Sequence, residues 1–144
     1  KINLIKKAKG LDNISFLPPV PKLLIPELIS NYHATLISLK DVKLFEYGIS
    51  PNKLYDAYAI SRPVISTVKG FINKEIEDFN IGVTALPGDP SSLSKSIKKL
   101  LLLSHNEREE MGKRGRELAL KIYSRDRIKK QYADLIINLL NKND

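Results

Sequence analysis

The chain has 144 residues, 42% of them hydrophobic and 28% charged, with no cysteine, no tryptophan and a formal net charge of +8. That length suits one ordinary domain over residues 1–144, which buries about 68–70% of the surface its unfolded chain exposes and needs no staple. Zero cysteines exclude a disulfide framework, a thiolate zinc site and a cysteine nucleophile.

Short β-type runs alternate with helical patterns. A short helical piece ends before Gly10, and residues 13–17 form the first predicted strand. A helix over 26–32 carries Pro26 in its first turn, and a strand over 34–39 follows. After a long loop, a helix over 51–60 is stopped by Arg62-Pro63, which begins the strand 63–67. Residues 73–78 read as a brief turn and 82–86 as the fourth strand. Helices over 90–103, 107–123 and 125–140 close the chain. In the first of them Leu93, Ile97, Leu100 and Leu101 share one face; in the last, Ile128, Tyr132, Leu135, Ile136 and Leu139 do.

Four helix starts are marked by caps, each worth about 1 kcal/mol: Ser50 before Pro51, Asp89 before Pro90, Ser104 with Glu107 as a capping box, and Ser124. Near-continuous apolar strands joined by helices predict an α/β fold, a doubly wound parallel sheet with helices on both faces. The consecutive C-terminal helices are expected to close one layer.

The longest uninterrupted apolar run, 100–103, is far below the roughly 20 residues of a membrane-spanning helix. The first residues have no secretory h-region, so a cytoplasmic location is expected. Position 1 is Lys and the only methionine is Met111, so the chain reads as a piece of a longer protein. The densest basic stretch, 95–130, favours an anionic partner or is a solvated lysine-rich surface.

In open parallel sheets ligands bind beyond the carboxyl ends of the strands. The segment 39–58 lies there, and it is longer than a minimal loop. Its helix opens at Ser50-Pro51-Asn52-Lys53, where free amides and the positive end of the dipole meet an ammonium. This is either a phosphate site or a surface lysine paired with Asp56. Asp56 in turn is a candidate for ribose hydroxyls or a surface ion pair. Gly48 serves close backbone approach or an ordinary turn, and Glu46 is a second carboxylate or a solvated loop charge. His33 and His105 lie in unrelated sequence contexts and read as a packing residue and a solvated one. Gly-rich phosphate loops, metalloprotease and zinc spacings and a nucleophile elbow are all missing. No cofactor or metal is expected. Isolated aromatics argue against RNA recognition.

Asn13-Ile14-Ser15-Phe16-Leu17-Pro18-Pro19-Val20-Pro21 with Ile25-Pro26-Glu27-Leu28 resembles the N-V-x-F-L-G-x-V-P…L-P-x-L segment of retaining glycosyltransferases of the GT-B fold. Ser50-Pro51-Asn52-Lys53-Leu54-Tyr55-Asp56-Ala57-Tyr58, ending in Arg62-Pro63-Val64-Ile65, is similar to the S-P-N-K-L-F-E-Y-M-A-A-G-K-P-V-I stretch of bacterial surface-polysaccharide transferases. Asn73-Lys74-Glu75-Ile76, Gly82-Val83, Leu86-Pro87-Gly88-Asp89-Pro90, Arg108-Glu109-Glu110-Met111-Gly112 and Tyr123-Ser124 follow in the family's order.

The resemblance implies most of the C-terminal donor-binding domain of such an enzyme. Its fold is Rossmann-like and doubly wound, truncated at its N-terminal end, with the N-terminal acceptor domain absent from this chain. The partners implied are a nucleoside-diphosphate sugar, UDP-linked, a glycan or lipid-linked acceptor, the N-terminal domain, and the inner face of the membrane; no nucleic acid is implied. In the family an E-x7-E motif holds the donor. The second acid matches Asp56, at the ribose; the first falls on Gly48. The amides of Ile49, Ser50, Asn52 and Lys53 match the turn that contacts sugar and pyrophosphate, and Gly48 is counted with them at the donor site. The backbone of Val20 faces the nucleobase, and Ser61 replaces the usual glycine after the helix. The fragment alone is expected to bind nucleotide without turnover. The alternatives are a nucleotide-sugar epimerase of the same fold and a noncatalytic basic module for nucleic acid or anionic membrane.

Overall fold

The computed structural model describes residues 2–141; Lys1 and residues 142–144 lie outside it. The chain runs through α1 (Ile2–Lys7), a 3-10 turn (Lys22–Leu24), α2 (Ile25–Ser30), β1 (Thr35–Ile37), α3 (Leu44–Tyr47), α4 (Asn52–Ala59), β2 (Val64–Ser66), α5 (Phe71–Asp78), β3 (Gly82–Thr84), α6 (Pro90–Leu102), α7 (His105–Ile122) and α8 (Arg125–Leu140). Among the described residues the strands form one open parallel sheet in the order β1-β2-β3, with Leu36, Ile65 and Val83 in register.

Alternation along the strands sends side chains to two faces. Ile37 and Val64 pack with Leu54, Ala57 and Tyr58 of α4, Ile72 and Ile76 of α5, Ile81, and Leu118 of α7. Ile65 and Val83 point the other way, against Leu93, Ile97 and Leu100 of α6 and Met111 of α7. The result is a Rossmann-like arrangement with helices on both faces. Burying such an aliphatic side chain is worth about 1.5–3 kcal/mol, so these two clusters carry the fold. Helix α7 touches both. It approaches closely because a Cβ at Gly112 would lie 2.0 Å from the Ser61 carbonyl oxygen, and one at Gly115 would lie 3.2 Å from the Tyr58 ring.

Several expectations change. Residues 13–17 are irregular and join no sheet. A strand needs a neighbour to take its backbone hydrogen bonds, and Pro18, Pro19 and Pro21 follow at once, each without an N–H to donate. The 73–78 turn is part of an eight-residue helix, α5, whose Ile72 and Ile76 are buried one turn apart. Residues 44–47, read as loop, form the single turn α3.

Leu101 leaves the α6 stripe and is 66% exposed. Helix α8 has the predicted span but no buried residue, so its apolar stripe does not close the layer. Of the four caps, Asp89 accepts from the Ser92 amide at 3.0 Å, and Ser104 and Glu107 form the full capping box. Ser124 makes no side-chain cap bond, and at α4 Pro51 takes the cap position that Ser50 was expected to fill.

Candidate functional site

A helix that joins two parallel strands must begin at their carboxyl ends. The starts of α4 and α5 therefore lie at that edge, and α6, which follows β3, begins there too. The positive ends of three helix dipoles share one rim. Between the strand ends is a cleft of about 220 Å³ lined by Ser38, Thr67, Leu86, Gly88, Asp89, Pro90 and Leu93. The Thr67 hydroxyl donates to Ser38 Oγ at 3.4 Å across it.

The loops that leave β1 and β2 lean on each other. Lys69 Nζ donates to Asp41 Oδ2 at 2.9 Å, and this bond raises the lysine above its ordinary value. Gly70, at φ 83°, lies against Glu46 so closely that a Cβ there would sit 2.5 Å from the Glu46 carbonyl oxygen. Glu46 is therefore held by its backbone on the turn of α3.

Helix α4 starts one residue later than its sequence suggests. Gly48 ends α3 at φ 151°, exposed, and a Cβ there would meet open space. Ile49 is half-buried against the core. Ser50 is exposed and donates its hydroxyl to Tyr55 Oη at 3.1 Å rather than capping the helix. Pro51 takes the cap position in extended conformation, so Asn52 and Lys53 are the first two helical residues.

The Leu54 amide bonds back to the Pro51 carbonyl at 2.9 Å. Among the described residues the amides of Asn52 and Lys53 have no acceptor. Lys53 is exposed and Asp56 half-buried, and the expected surface pair between them does not form: neither side chain has an ionic or hydrogen-bonding partner among the described residues. Gly48, Ile49, Ser50, Asn52, Lys53 and Asp56 thus share one turn and its approach. Val20 stands apart, half-buried in the irregular stretch before the 3-10 turn.

Beneath this turn is a group that the sequence did not single out. Glu75 of α5 is only 5% exposed. It accepts from Tyr58 Oη at 3.1 Å and from the Tyr123 hydroxyl. Burial, and then the neighbouring carboxylate, push both phenols far above the ordinary tyrosine value. The Tyr55 ring packs edge-on against Tyr123 and Tyr58, with centroids 4.9 and 6.4 Å apart. Through Tyr55 and Ser50 this network supports the start of α4. The available signal was a glutamate flanked by Ile72 and Ile76 on an apolar helix face.

Among the described residues no group of three or more His, Cys, Asp or Glu side chains could hold a metal ion. Among the described residues no helix is long and apolar enough to cross a membrane. At the start of α4 the chemistry on offer is electrostatic: two amides without an acceptor among the described residues, a helix dipole, the Lys53 ammonium and the Asp56 carboxylate.

Residues 1–118 match the family described as "Glycosyl transferases group 1". Among solved structures, sucrose-phosphate synthase from Thermosynechococcus elongatus is similar over 98% of this chain, with a TM-score of 0.74 and 17% sequence identity. The match covers 34% of that protein, so this chain spans about a third of its length. At such identity the likeness establishes the fold. No curated protein matches the chain.

Proposed function

The chain belongs to the group 1 glycosyltransferases, and from that premise we propose that it forms most of a C-terminal domain that binds a nucleoside-diphosphate sugar, with UDP as the nucleotide. The first turn of α4 carries the reading. There two amides that have no acceptor, and a lysine and an aspartate one turn apart that have no partner, all among the described residues, meet at the rim where parallel sheets receive ligands.

In this proposal the amides of Gly48, Ile49, Ser50, Asn52 and Lys53 line the sugar and the diphosphate. The Lys53 ammonium pairs with phosphate oxygens, the Asp56 carboxylate accepts from the ribose hydroxyls, and the backbone of Val20 faces the base. As the bond from sugar to diphosphate breaks, the leaving group gains negative charge. Amides and an ammonium already fixed around it stabilise that charge without reorganising. The sugar passes, with retention of configuration, to a glycan or lipid-linked acceptor held by an N-terminal domain of the same protein. Surface-polysaccharide synthesis in the cytoplasm, at the inner face of the membrane, is the setting the resemblance supports.

The test is calorimetric titration of the 144-residue chain with UDP. Lys53→Ala and Asp56→Ala are each expected to weaken binding about 10- to 100-fold, the range for a hydrogen bond to a charged group (about 1.5–3 kcal/mol). Both positions are away from the core, so the thermal midpoint is expected to stay near that of the parent chain. UDP binding unchanged in both variants contradicts the assignment.

A further inference from the structure

The opposite edge of the sheet holds a second feature. The only two histidines of the chain, far apart in sequence, line one cavity of about 140 Å³ together with Asn31, Arg62, Arg108 and Glu109. It lies between the end of α2, the turn that enters β2 and the first turn of α7. This is the amino-terminal edge, since Pro63 immediately precedes β2 and His33 lies two residues before β1.

Both guanidinium groups are anchored to the backbone, Arg62 on the Ser30 carbonyl and Arg108 on the Leu103 carbonyl. The Nε of each is buried and has no acceptor among the described residues. The carboxylate in the lining, Glu109, is engaged by His105 Nε2 at 3.3 Å. The cavity therefore gathers two guanidiniums anchored on backbone carbonyls and two imidazoles around one carboxylate. Planar guanidiniums match the geometry of an oxyanion.

We propose that this cavity is a site for a single phosphate group, separate from the α4 rim and independent of what that rim binds. Its volume is well below the roughly 300–1,000 Å³ of pockets that enclose drug-sized ligands, so a nucleotide does not fit within it. A tetrahedral phosphate does, either free or as the head of a phosphomonoester whose remainder lies outside.

The imidazole carbon–proton NMR signals of His33 and His105 report on this cavity alone. They are followed in the 144-residue chain while inorganic phosphate is added at constant ionic strength against sodium chloride, and again with methyl phosphate. The expected result is a saturable shift of both histidines that chloride does not reproduce. Arg108→Gln is expected to weaken it at least tenfold. Arg62→Gln is a second variant in case the first alters folding, which the thermal midpoint reports. Tighter binding of methyl phosphate assigns the site to an ester, and equal binding to the free ion. The proposal is overturned if chloride gives the same shift, if folded Arg108→Gln or Arg62→Gln binds phosphate as the parent does, or if phosphate moves the Asn52 and Lys53 amides and leaves both histidines unmoved.

Discussion

Ser61 shows how much one side chain matters at a tight turn. It follows α4 with φ at 56°, a left-handed conformation that disfavours residues with a Cβ by about 1–2 kcal/mol. Its carbonyl receives the close approach of Gly112. Ser61→Gly is therefore expected to raise unfolding free energy by about 1 kcal/mol, part of the relief being lost to the greater freedom of glycine when unfolded; urea titration measures it. Glu75 supplies a second residue-scale prediction. The folded state holds the Tyr58 proton more tightly than the unfolded chain, because burial and then Glu75 raise its pKa. Below about pH 10, the ordinary tyrosine value, this stabilisation is complete. Above it the unfolded chain loses protons first, so stability falls as pH rises. Tyr58→Phe is expected to lose about 1–3 kcal/mol at neutral pH and to converge on the parent chain in alkali. Parallel stability curves across that range contradict the account. The Ser61 conformation was foreshadowed by the glycine that the family places there. The Glu75 network was not, since Tyr58, Glu75 and Tyr123 come from three segments that only the tertiary fold brings together.

At the level of elements, what was legible was local. The Asp89 cap and the Ser104–Glu107 box involve neighbours three residues apart, and both form as read. Ser50 was misread because a residue five positions on, Tyr55, captures its hydroxyl. The 13–17 segment was misread because strand formation depends on a partner that its own residues do not encode. Helix α8 combines both lessons: its period is correct, yet none of its apolar stripe of Ile128, Tyr132, Leu135, Ile136 and Leu139 is buried. A 16-residue helix that buries none of its side chains draws little support from packing and is marginal in water. Amide hydrogen exchange in the chain alone is therefore expected to be at least 100-fold faster in the second half of α8 than at the buried positions of α4 and β2. Equal protection in α8 and α4 contradicts this.

Taken as a whole, the molecule sets two edges of one small sheet against each other. The carboxyl edge gathers the starts of α4, α5 and α6; the amino edge gathers Arg62, Arg108 and both histidines. The first was readable because Gly48 to Asp56 is one contiguous stretch at the end of a recognisable strand-to-helix loop. The second was not, because no sequence proximity links His33 to His105. Assignment of the α4 rim to a diphosphate is the claim on which the rest depends. Backbone amide NMR during a UDP titration tests it most directly. Saturable shifts centred on Asn52, Lys53 and Asp56 are expected. Saturable UDP binding that leaves those three amides in place, or no binding at all, contradicts it.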